Sequence, residues 1–128
     1  MKLLVISFFI LLMASCTSRE DETVQIFEES VHNLDLEKVQ SMCTEDTRFY
    51  FKVAIEPLFK FSGRTELNSV KKIALSLTCT GEGRKRNCSY LDSAGEIHTF
   101  ELSLVEDFEE LGSSRLLIDI ERKYFFKE

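Results

Sequence analysis

A chain of 128 residues with 16 Lys and Arg against 22 Asp and Glu has room for one domain with one modest core. Its net charge of −6 argues against nucleic acid or anionic lipid surfaces as partners, because both reward clustered Lys and Arg. Low glycine and proline content, with 5 Gly and 1 Pro, argues for a compact domain without repeats or low-complexity tracts.

The chain opens on a targeting pattern. Lys2 precedes an apolar run from Leu3 to Met13, interrupted only by Ser7, which ends at Ala14-Ser15-Cys16. A basic start, a short apolar core and small residues before a cut site describe a secretory signal peptide. The run falls short of the ~20 residues a membrane-spanning helix needs. An ordinary signal peptide with a chance cysteine also fits this pattern. Cleavage before Cys16 removes residues 1–15 and leaves 15 bases against 22 acids, a net −7. Residues 16–22 then form a polar, acidic tether, and residues 23–128 a single domain.

From Glu22, Val24, Phe27, Val31 and Leu34 recur at helical spacing, with Asp21 or Thr23 as the expected cap. His32 falls near the end of this helix, where a cation suits the dipole. Asp35 opens a second short helix whose apolar side carries Leu36, Val39, Met42 and Cys43. A third helix is expected from about Thr47, bent or ended near Pro57, although Phe49, Phe51, Val53 and Ile55 also alternate as a strand would.

From Val70 the period changes to two. Ile73, Leu75, Leu77 and Cys79 alternate with Lys72, Ala74, Ser76 and Thr78, predicting a half-buried antiparallel strand. Thr80 to Arg86 reads as a hairpin connection and Asn87 to Leu91 as its second strand. After a turn at Ser93-Ala94-Gly95, His98, Phe100, Leu102 and Leu104 form the inward row of a third strand. Glu106 to Gly112 reads as an acidic connector. Leu116, Ile118 and Ile120 close a fourth strand, with Lys123 to Phe126 as a possible extension. Helices first and a four-stranded antiparallel meander second make an α+β fold. The outer face of the sheet (Ala74, Ser76, Thr78, Thr99, Glu101, Ser103) is small and polar, as a solvated surface is.

Few residues offer chemistry. Folding the first hairpin about Gly83-Arg84 sets Cys79 opposite Cys88, where paired Cβ atoms lie ~4.5–5.5 Å apart and can be bridged. A disulfide is expected there, with two free thiols as the alternative. Cys43, in an apolar row beside Glu45 and Asp46, reads as a buried inert thiol, since a nucleophile wants an electropositive setting. His98 could serve as a general base beside a carboxylate, but a satisfied rim histidine is the simpler reading. Arg84-Lys85-Arg86 reads as a solvated basic tip, or as a contact for an acidic partner. The acids from Glu106 to Glu110 lack calcium-loop spacing. The cysteine spacings fit no zinc motif, and neither a cofactor nor a metal is indicated.

Two resemblances extend this reading. Leu12-Met13-Ala14-Ser15-Cys16 resembles the lipobox of bacterial lipoproteins. It implies a diacylglycerol on Cys16, and hence a membrane partner through that lipid. The acidic run after Cys16 is similar to the export signal that places lipoproteins of Bacteroidota in the outer membrane. The order of helices and strands resembles the cystatin-like or nuclear-transport-factor-like cone fold. Small bacterial lipoproteins of unknown function with that fold are the closer likeness, carried by Val24-Gln25-Ile26-Phe27, Asn33 to Val39 and Thr44-Glu45-Asp46-Thr47. The leading expectation is a non-catalytic, lipid-anchored cell-envelope domain that binds a small apolar ligand or an envelope protein. A cone-fold enzyme with a pocket near His98 is the alternative.

Overall fold

The computed structural model describes residues 18–60, 63–108 and 114–126. Cys16 and the signal segment lie outside these residues. The α+β order holds: among the described residues, five α-helical segments precede a four-stranded antiparallel sheet of order β1-β2-β3-β4.

Helix α1 (Arg19–His32) is capped by Ser18, whose hydroxyl accepts from the backbone N–H of Asp21 at 3.1 Å. The cap therefore precedes both expected candidates, and the helix takes in four residues of the expected tether. Glu20, Asp21 and Glu22 suit the positive end of its dipole. Val24 and Phe27 turn into the core, and Leu34 ends the helix in the left-handed region at φ 56°. Helix α2 (Leu36–Ser41) is capped by Asp35, as its sequence position suggested. Helix α3 (Glu45–Tyr50) runs into a π-turn (Phe51–Ile55) and then α4 (Glu56–Lys60). The helical run thus does not end at Pro57. The proline ring would crowd the carbonyl four residues back, and the backbone widens to π geometry over that stretch.

The largest departure from the sequence reading is α5 (Arg64–Leu75), which occupies most of the stretch expected to be the first strand. The alternation is coincidental. Val70, Ile73, Ala74 and Leu77 follow 3- and 4-residue steps and face one cavity, while Leu75 is 64% exposed. Ala74 and Ser76 therefore do not belong to the outer face of the sheet.

Strand β1 is reduced to Thr78–Thr80 and pairs with β2 (Lys85–Leu91) in the anticipated register, Cys79 opposite Cys88. Strand β3 (Ile97–Phe108) runs into the expected acidic connector and pairs with β4 (Ser114–Ile120). After β4 the chain forms a 3₁₀ turn (Arg122–Tyr124) instead of extending the strand. Both sheet edges are covered. The Glu28 carboxylate accepts from the Cys79 N–H on one edge. On the other, Ile118 donates to the Met42 carbonyl at 2.8 Å and accepts from Thr44 at 2.9 Å.

The core joins α1, α2 and the concave face of the sheet through Phe27, Val39, Cys43, Leu102 and Ile118. Thr47, fully buried, fastens α3 to β4: its hydroxyl accepts from the Ile120 N–H at 2.9 Å and donates toward Asp119.

Candidate ligand cavity

The core does not fill the whole inner face of the sheet. At the end where β2 and β3 meet their connecting turn, a cavity of about 490 Å³ lies between sheet and helices. Phe27, Val31 and Leu34 of the α1 end form one wall, and Val70, Ile73 and Leu77 form a second. Phe51 and Ile55 of the π-turn, with Leu58 and Phe59 of α4, form a third. Tyr90, His98 and Phe100 make the sheet floor, and Tyr124 and Phe125 the C-terminal side. The lining is overwhelmingly apolar, and the volume is that of a site for a small organic molecule (~300–1,000 Å³).

One polar constellation sits at its edge. Asp92 stands in the β2–β3 turn, where Oδ1 accepts from the backbone N–H groups of Ala94 at 2.8 Å and Glu96 at 2.9 Å. Its Oδ2 lies 2.7 Å from His98 Nε2. The His98 bond first, and the backbone N–H of Glu96 second, hold the Asp92 carboxyl below the usual carboxylate range. Tyr90, the cross-strand partner of His98, stacks on the imidazole with centroids 5.3 Å apart and planes 16° apart. Burial pushes the Tyr90 phenol up.

The inward row placed His98 on the concave face, and the structure does the same. Sequence reading missed Asp92. The available signal was the Asp-Ser-Ala-Gly turn, which folds β3 back on β2 and returns His98 to within reach of Asp92. Asp92, Glu96 and His98 also bring one ligand atom each within 4.8 Å of one another. Turn hydrogen bonds already account for that clustering.

The remaining candidates lie away from the cavity edge. Cys79 and Cys88 form a disulfide with S–S 2.05 Å. Cys43 is completely buried, its thiol donates to the Val39 carbonyl, and burial pushes it up to about 12. Its burial matches the expected place in an apolar row. His32 contacts the Leu77 carbonyl at 2.8 Å through Nε2, a tertiary bond beyond its place at a helix end.

The basic tip is not simply solvated. Arg86 is 5% exposed, and its guanidinium donates to the carbonyls of Gly81 and Gly83 and to Asp21. Arg84 and Arg19 both donate to Glu106. Arg84 and Arg86 thus pair with acids of the chain itself. No helix among the described residues is long and apolar enough to cross a membrane.

No protein-family model matches the chain, and no curated protein and no solved structure matches it either.

Proposed function

We propose that this protein is a lipid-anchored domain of the cell envelope, tethered through Cys16 at the outer membrane to which the acidic run after it points, that binds a small apolar ligand without transforming it. The observation that carries the binding reading is the cavity of about 490 Å³ with its aromatic and aliphatic lining. An apolar space of that size left beside a well-packed core is costly to keep empty, and a ligand that fills it recovers the missing contacts. The anchor reading is supported by the lipobox-like Leu12 to Cys16 segment. Several acyl chains at ~0.8 kcal/mol per buried CH₂ suffice for a stable tether. Native mass spectrometry of protein taken from its own envelope tests the binding reading. A stoichiometric small molecule that organic solvent removes supports it, and a bare polypeptide opposes it.

The second reading, a small-molecule enzyme of the cone-fold type, has one observation in its favour. His98 lines the cavity and is oriented by Asp92, the arrangement a general base requires. Against it, the hydroxyl of Ser30, which lines the same cavity, is committed to the Ile26 carbonyl and is not an activated nucleophile. Comparing the molecules carried by the wild type and by H98N separates the readings. Equal masses favour binding alone, and a substrate-to-product mass difference favours the enzyme.

A further inference from the structure

We propose that His98 sets the ligand specificity of the cavity by accepting a hydrogen bond at Nδ1, so that the preferred ligand is an apolar molecule bearing a hydroxyl group. The proposal rests on the reading of the cavity as a ligand site and adds the chemistry of its polar end.

The argument follows from the proton inventory at Asp92. An ionised carboxylate only accepts hydrogen bonds. Its Oδ2 lies 2.7 Å from His98 Nε2, so a neutral His98 carries its proton on Nε2 and presents a bare lone pair at Nδ1. Among the described residues Nδ1 has no hydrogen-bond partner, and Asp92 itself is not part of the cavity lining. The ring is kept from rotating by Tyr90 stacked on its face and by the Asp92 bond at its edge. The imidazole, a lining residue whose side chain is 43% exposed, is therefore a fixed acceptor at the mouth of an apolar space. A hydroxyl on the ligand satisfies it; an ether or a ketone brings a second acceptor against it.

Asp92 offers a clean way to invert this chemistry. In D92N the amide oxygen keeps the position that accepts from the Ala94 and Glu96 N–H groups, which leaves the NH₂ group facing Nε2. A neutral imidazole then accepts at Nε2 and carries its proton on Nδ1, becoming a donor at the cavity mouth.

The experiment uses the mature chain at about pH 8.5, where an ordinary imidazole is neutral. Decanol, decyl methyl ether and methyl octyl ketone compete against an apolar fluorophore, and ¹⁵N NMR reports the His98 tautomer. The expected result is that the wild type binds decanol about tenfold more tightly than the ether or the ketone. D92N moves the proton to Nδ1 and brings the ketone level with the alcohol or ahead of it. H98F, which keeps a ring for Tyr90 to stack on, loses the preference and serves if D92N does not fold. Equal binding of the three probes to the wild type overturns this proposal while leaving the cavity reading standing, as does a tautomer shift in D92N with unchanged preference. Failure of every apolar probe to bind overturns the cavity reading and this proposal together.

Discussion

The guanidinium of Arg86 lies 2.7 Å from Oδ1 of Asp21 and joins the first hairpin to the first turn of α1. The Arg86 side chain is 6% exposed and that of Asp21 52%, so the pair is buried on one side only. The bond connects the segment that follows Cys16 directly to the sheet, and two loop carbonyls complete the Arg86 coordination.

Removing Arg86 strands both carbonyls and the hairpin loop. R86A is expected to lower the unfolding free energy by about 2–4 kcal/mol, read by urea denaturation at pH 7. A loss below about 0.5 kcal/mol would show that the buried guanidinium is not structural.

Acid should loosen the same end of the molecule. The Arg86 bond, then that from Ser18, holds the Asp21 carboxyl below its ordinary value. Arg84 and then Arg19 do the same for Glu106. A carboxyl depressed in the folded state contributes stability above its unfolded value, about 4, and loses it as pH falls through the folded value. Stability from these groups should hold between about pH 7 and 5 and decline below about pH 4, with a shallower decline in R86A. An identical acid slope in the variant would contradict the assignment.

The Cys79–Cys88 crosslink closes a loop of sequence separation 9 at the edge of the sheet. C79A/C88A should lose about 2–3 kcal/mol, with the cavity otherwise retained. Peptide mapping without reduction should recover the two cysteines in one linked species. Cys43 should remain unmodified by iodoacetamide in native protein, reacting at least ~100-fold more slowly than an exposed thiol. Rapid alkylation of native protein would show that its burial is not maintained.

The sheet was legible in the sequence because one face is buried and the other wet. His98, Phe100, Leu102 and Leu104 had to alternate, and the same pairing logic placed Cys79 against Cys88. Helix α5 was not legible, because Ile73, Leu75 and Leu77 satisfy a period of two by chance. Only the exposure of Leu75 reveals that the row runs through Ala74 instead. The burial of Arg86 was equally hidden. A run of three bases does not show which one turns inward until Asp21 and the loop carbonyls are placed around it. At the candidate site, His98 was visible as the start of an inward row. Asp92 was not, because its role depends on how tightly the β2–β3 turn closes.

The anchor has its own test. Cells fed an alkyne fatty acid should incorporate the label into the wild-type chain and not into C16S, and C16S should leave the membrane fraction. Equal labelling of the two chains would contradict lipidation at Cys16.

The central claim is that the cavity beneath α5 takes an apolar ligand, and filling it tests this most directly. Ala74 lines the cavity and is 8% exposed, so a larger side chain there projects into the space. Titration of an apolar fluorophore into the wild type and A74W, with thermal unfolding of both, is the measurement. One probe per wild-type chain is expected, with binding at least ~10-fold weaker in A74W and no large loss of stability. Undiminished binding by a folded A74W would contradict the account, because the probe would then be held elsewhere.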